Sequence, residues 1–152
     1  MKVWRFHREI YGPLDTTGSF SYGGRWNPKG APVLYTSPTF AGGMLELLAH
    51  STVPRRPPRD HVGCLIEIPD TAGVTVLQPP FSAGWDHPDD YSVSVGMARP
   101  WLVAGKDLCL EVPSVPASPI ERNIVINAQH PMFHQLVPTQ KVGPVYDPRI
   151  WG

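Results

Sequence analysis

The sequence predicts a single mixed α+β domain, built of short strands with few helices, and three observations carry that expectation. At 152 residues the chain has the length of one core, inside the roughly 100–200 residues that one domain usually spans. Its 19 prolines and 14 glycines interrupt it too often for long helices, since proline removes a helix donor and glycine gives up the most backbone entropy on ordering. An all-helical bundle is excluded. With 41% hydrophobic and 17% charged residues, the chain can fill a core and lacks the charge excess that keeps a polypeptide disordered.

The elements follow in order. Val3–Phe6 alternates as a strand and is closed by Tyr11-Gly12-Pro13. Residues 18–32, rich in glycine and broken by proline, read as a shaped loop that presents Arg25 and Trp26. Val33–Thr36 reads as a short buried strand, after which Ser37 supplies a cap and Pro38 opens a helix to His50. In that helix Phe40, Met44, Leu47 and Leu48 form one apolar stripe, with Glu46 and His50 together on its flank. Gly42 and Gly43 each cost about 1 kcal/mol there relative to alanine, which implies close packing by a strand or a ligand against that surface. The Pro/Arg run Val53–Asp60 reads as a solvated connector, with phosphate binding as its second reading. Further strands are expected at Gly63–Ile68, Val74–Leu77, Leu108–Val112 and Asn123–Asn127. A second long loop is expected at 79–90, a short helix broken by Pro100 within Tyr91–Val103, and a turn-rich tail from Val142.

Thirteen basic and thirteen acidic residues cancel, which removes the broad attraction that drives non-specific nucleic-acid binding. Arginine outnumbers lysine, and its planar fork suits a small anionic ligand. Cys64 and Cys109 have no metal-ligand spacing and read as two buried thiols of a reduced, cytoplasmic protein. No stretch approaches the length of a membrane span and the first residues lack an apolar secretion segment. Phosphate-loop, dinucleotide-fold, paired-cysteine and nucleophile-elbow motifs are all missing. His130 and His134 flank Pro131, a poor setting for a helical metal pair, so no metal site is expected.

What stands out is an ordered constellation: Gly23-Gly24-Arg25-Trp26-Asn27-Pro28, then Tyr35-Thr36-Ser37, Glu46 to His50, Val112-Pro113-Ser114, and Asn123 to Pro131. At these residues the chain resembles the RES-domain family, toxins of bacterial toxin–antitoxin pairs named for an arginine, a glutamate and a serine. The resemblance runs over nearly the whole chain and treats 1–152 as one such domain; Ala128 departs from the family's proline. It implies an ADP-ribosyltransferase-like fold with no permanently bound cofactor and NAD as substrate. The nicotinamide glycosidic bond of NAD would be cut by hydrolysis or phosphorolysis, depleting the cell of NAD. The alternatives are an ADP-ribosyltransferase acting on a protein and a non-catalytic nucleotide-binding module. The resemblance also implies a cognate Xre-like helix-turn-helix antitoxin that alone contacts DNA. A homo-oligomer stays open.

Carried over by motif, the catalytic positions are Arg25, Glu46 and Ser114, and the NAD-binding ones Arg25, Tyr35, Ser114 and Trp26. Each has a plainer reading. Arg25 grips a pyrophosphate or braces its loop through a salt bridge. Glu46 stabilises an oxocarbenium-like charge or pairs with His50. Tyr35 stacks on a base or fills the core. Ser114 reaches a ligand, orients Glu46, or bonds its own turn. Trp26 closes over a base or packs inside. Asn123, Asn127 and His130 are read as loop caps ahead of any bracing role.

Overall fold

Two short sheets face each other across one apolar layer. The computed structural model describes residues 1–51, 58–118, 120–144 and 146–151. Strands β1 (Lys2–Arg8), β3 (His61–Glu67) and β7 (Val137–Val142) form the first sheet, in the order β1-β3-β7 with antiparallel pairing. Strands β2 (Val33–Thr36), β6 (Arg122–Asn127), β5 (Cys109–Pro113) and β4 (Val74–Val76) form the second, antiparallel except for β4 alongside β5. Three helices complete the frame: α1 (Thr17–Tyr22), α2 (Phe40–Ala49) and α3 (Ser92–Ala104). The mixed α+β class expected from the sequence is the one observed.

Strand alternation sorts the core into two halves. Val3, Cys64 and Ile66 of the first sheet meet Leu34, Cys109, Ile124 and Ile126 of the second. The opposite parity on the second sheet, Val33, Leu110, Val112 and Val125, packs against Trp26 and against Ala98 and Trp101 of α3. Cys64 and Cys109 are both buried and free, and burial pushes the Cys109 thiol up to about 12.

Strand boundaries agree with the sequence reading to within one or two residues, and the departures have physical reasons. The cap of α2 is Thr39 rather than Ser37: Thr39 accepts from the Gly42 N–H at 3.0 Å. Ser37 is held extended because its N–H and C=O both bond Trp4, tying β1 to the end of β2. Helix α3 runs through Pro100 instead of breaking there. The lost backbone bond is outweighed by burial of Ala98 and Trp101 on either side, and the Trp101 indole donates to the Asp107 carbonyl at 2.9 Å. Within the loop expected at 18–32, α1 begins earlier, where Asp15 accepts from the Thr17 N–H at 2.9 Å. Arg5 holds that turn from β1 by donating to the carbonyls of Pro13 and Asp15. Strand β7 has no counterpart in the expectations, because its side chains are mostly exposed and carry no apolar alternation. In the Pro/Arg run, residues 53–57 lie outside the described residues.

The glycine pair in α2 accommodates protein rather than ligand. A Cβ at Gly43 would stand 2.6 Å from the Phe6 ring, and one at Gly42 would stand 2.6 Å from Ser37 Oγ. Phe6 and Trp4 of β1 both pack on Phe40 of α2, with ring centroids 5.0 and 4.9 Å apart. Gly43→Ala should therefore lower the melting temperature: overpacking of about 1–3 kcal/mol exceeds the helix-propensity gain of about 1 kcal/mol. A higher melting temperature would show that Phe6 gives way freely.

His7 is buried on the inner face of β1, its Nδ1 donating to the Arg8 carbonyl at 2.9 Å and its Nε2 without a partner among the described residues. Burial above all, with Arg5 and His61 adding to it, holds its pKa below the ordinary imidazole value. Below about pH 6.5 the unfolded chain takes up a proton that folded His7 refuses, so stability falls as pH drops through that value toward the folded pKa. The urea midpoint should decline between about pH 7 and 5.5, and His7→Gln should flatten the decline. An unchanged slope would assign the effect to other histidines.

Candidate active site

The period of two that sorts the core also assembles the site. On β6, Asn123 shares the face of Val125, which pairs with Tyr35 on β2. On β5, Val112 pairs with Asn123, and Ser114 follows two residues later with its N–H bonded to the Glu121 carbonyl at 3.0 Å. Tyr35, Asn123 and Ser114 therefore project from one face at one end of the second sheet, the end where β2 and β5 finish and β6 begins.

Helix α2 delivers Glu46 to that end. Its Oε1 accepts from Ser114 Oγ at 2.7 Å and from Asn123 Nδ2 at 2.5 Å. Both donors act on one oxygen; Oε2 has no partner among the described residues, and the side chain is only half-buried. The flank of α2 was also read as an i,i+4 pair, and the structure corrects this: His50 Nδ1 meets the Glu46 main-chain carbonyl at 2.8 Å, not the carboxylate. Ser114, 3% exposed, spends its hydroxyl on Glu46 rather than on its own turn.

Arg25 and Tyr35 are organised by Asn27. Asn27 is 1% exposed and its Nδ2 donates to the carbonyls of Ser19, Pro28 and Ala31 at 2.9, 3.1 and 2.8 Å. Its Oδ1 accepts from the Tyr35 hydroxyl at 2.6 Å, and that hydroxyl accepts from the Trp26 N–H at 3.0 Å. Tyr35 remains 37% exposed although its hydroxyl is enclosed. Burial of that oxygen, seconded by Tyr91, raises its pKa well above the phenol range. The ring, not the hydroxyl, is what Tyr35 offers to a ligand. Gly24 makes the arrangement feasible, since a Cβ there would lie 2.6 Å from the Tyr35 hydroxyl oxygen.

Arg25 forms no ion pair among the described residues, so the expected salt bridge bracing the loop is not what holds it. Its Nη1 donates to the carbonyls of Trp85 and His87, each at 3.0 Å, and its guanidinium lies 4.5 Å from the centre of the Tyr91 ring. The fully buried Ser94 of α3 donates to the Arg25 carbonyl at 2.6 Å. One nitrogen of the fork thus clasps the 79–90 loop, and Nε and Nη2 have no partner among the described residues.

A sequence model of the RES domain matches residues 2–147. The chain belongs to the RES domain family. Among curated relatives, Toxin Res of Pseudomonas putida is 33% identical over 132 residues, covering 86% of this chain and 87% of that protein. Prs ADP-ribosylating toxin of a Sphingobium species is 31% identical over 140 residues, covering 90% and 86%. The fold is shared with a chain of the Mycobacterium tuberculosis MbcT–MbcA toxin–antitoxin complex, at a TM-score of 0.79 and 19% identity over 99% of this chain and 86% of that one.

In this RES domain, Glu46 and Ser114 are in direct contact, and Arg25 stands on the loop beside Tyr35. Trp26 is placed otherwise than as a base-stacking residue: it is 3% exposed, inside the second core half, stacked on Trp85 at 6.0 Å. Asn127 and His130 are loop caps, accepting from the N–H groups of Gln129 and Met132. Asn123 is not: the structure corrects the loop-cap reading and places it on β6, two residues before Val125, with its amide on Glu46. Asn27 lies in the quoted motif but was given no role there, and Ser94 carried no signal, because the Arg25 carbonyl it bonds is 69 residues away.

Tyr35→Phe should destabilise the fold by about 1–3 kcal/mol, because the Trp26 N–H and Asn27 Oδ1 each lose their partner. Asn27→Ala should cost more, since three carbonyls lose a donor as well. Urea denaturation of both variants checks the order, and equal or negligible losses would mean that water replaces the network.

Proposed function

We propose that this RES-domain toxin breaks the bond between nicotinamide and ribose in NAD, by hydrolysis or phosphorolysis. The observation that carries the reading is the Glu46 carboxylate, held through one oxygen by Ser114 and Asn123 with the other oxygen open. As nicotinamide leaves with the bonding electron pair, positive charge grows on the ribosyl carbon, and a fixed carboxylate beside it lowers the barrier. Water or phosphate then adds to that carbon, and the proton of attacking water passes to solvent. The unpaired nitrogens of Arg25 suit the pyrophosphate, and the open ring of Tyr35 suits the nicotinamide or the adenine. NAD is substrate in this scheme, with no resident cofactor. A cognate Xre-like helix-turn-helix antitoxin covers this cleft and makes the DNA contacts, in the cytoplasm. The neutral charge of this chain is consistent with leaving DNA to such a partner.

Transfer of ADP-ribose to a protein uses the same first step, and the name of the Sphingobium relative favours it as the second reading. Incubation with NAD, with and without phosphate, tests the proposal by nicotinamide release. A mass increment on an acceptor protein in place of free ADP-ribose would move the assignment to transfer, and no nicotinamide release would remove both. Glu46→Gln should lower turnover on the order of 10²-fold with little change in NAD affinity. The fold should persist, since the amide oxygen can accept from the same two donors. A fully active Glu46→Gln protein would remove Glu46 from the chemistry.

A further inference from the structure

Glu46 sits on a ten-residue helix, yet its carboxylate is gripped from the sheet by two residues in diagonal register. Val112 pairs with Asn123, and the ladder continues through the bond from the Ser114 N–H to the Glu121 carbonyl. Ser114 and Asn123 are thus diagonal neighbours on one face, within mutual reach of a single atom. The bond of 2.5 Å from Asn123 Nδ2 is the shorter of the two that converge on Oε1. A carboxylate only accepts, so the Asn123 amide must present its NH2 here and turn its Oδ1 away. Asn123 is anchored on a strand hydrogen-bonded on both sides, to β2 and to β5.

We infer that Asn123 is a positioning residue for the proposed NAD-cleaving reaction: with Ser114 it occupies Oε1 of Glu46 and so fixes Oε2 as the oxygen that faces the ribosyl carbon. The inference rests on the reading of Glu46 given above. Two donors converging on one oxygen fix both its position and the carboxylate plane. Without Asn123, rotation about the last side-chain bond of Glu46 lets either oxygen turn to Ser114, and the charge is no longer held at one place. Ser114 alone is a weaker guide, because a hydroxyl rotates and can itself accept, whereas the amide is fixed by the pleat of β6.

Replacement by aspartate separates positioning from packing. Asn123→Asp keeps the shape but sets a carboxylate against Oε1, where both groups cannot stay ionised in contact. Once the pair takes up one proton, the introduced carboxyl becomes a donor to Oε1 and restores the lost contact. Asn123→Ala should lower kcat for nicotinamide release about 10- to 100-fold, in keeping with misplacement of a catalytic group by up to an ångström, with KM nearly unchanged. Asn123→Asp should be less active than the alanine variant at neutral pH and regain activity as pH is lowered, a profile that neither wild type nor Asn123→Ala shows. Crystal structures of the two variants give a readout independent of activity: the Glu46 carboxylate should leave the plane it holds beside Ser114 in Asn123→Ala. Wild-type turnover with an unaltered kcat in Asn123→Ala, or an aspartate variant without acid recovery, overturns the inference. If the wild type releases no nicotinamide, the proposed reaction fails. The positioning of Oε1 is then decided by the structures, and an unmoved carboxylate overturns it.

Discussion

Strand β6 is bonded along both edges, to β2 and to β5, and it is apolar on both faces through Ile124, Val125 and Ile126. A strand so enclosed cannot slip by one residue without moving its apolar side chains to the wrong core half, so its register is strongly specified. Everything in the candidate site is measured from that register. Asn123 lies on β6 itself, Tyr35 is opposite Val125, and Ser114 lies two residues beyond Val112, the partner of Asn123 on β5. The same alternation that closes the core therefore sets the spacing of the polar groups at its end, and the geometry of the site comes with the stability of the sheet.

Polar hubs attach the loops and α1 to this frame, beside the apolar contacts that seat α2 and α3. Asn27 gathers three carbonyls and the Tyr35 hydroxyl at one buried point. Arg5 gathers the turn before α1, and Ser94 ties α3 to the loop that carries Arg25. Such hubs suit a chain with 19 prolines and 14 glycines. Its irregular segments are long, and each irregular carbonyl taken from water needs a donor. The loop around Arg25 is consequently shaped by these side chains together with a short backbone bridge between Gly24 and Asn27.

That division explains what could be read in the sequence. The β strands with alternating apolar residues, the amphipathic α2 and the arginine, glutamate and serine positions were legible because each signal is local or belongs to a recurrent motif. The capping residue of α2 was misplaced by two positions because the Trp4 to Ser37 bridge, a contact between distant segments, keeps Ser37 extended. Pro100 was read as a break on local grounds, while Trp101 and Ala98 hold the helix together through burial. The partners of Glu46 are 68 and 77 residues away, so helical spacing could offer only His50. Ser114 orienting Glu46 was one of the readings the motif offered, but that Asn123 joins it is decided by strand register and not by neighbours in the chain.

The two charged groups of the site have a common electrostatic setting. Neither Arg25 nor Glu46 is neutralised by an opposite charge among the described residues; the ion pairs seen there involve other residues, such as Arg122 with Glu111 and Lys141 with Glu9. Arg25 is positioned by two carbonyls and an aromatic face, Glu46 by a hydroxyl and an amide. Neutral dipoles of this kind fix the place of a charge without cancelling its field, whereas a salt bridge would fix it and cancel it. Both fixed charges are then available to a ligand that carries groups of opposite sign. Because the dipoles are already oriented by the folded sheet and loop, little reorganisation accompanies the growth of charge, which is the condition under which electrostatic stabilisation is largest. A net charge of zero over the whole chain thus coexists with a site that holds two charges, neither paired with an opposite charge among the described residues.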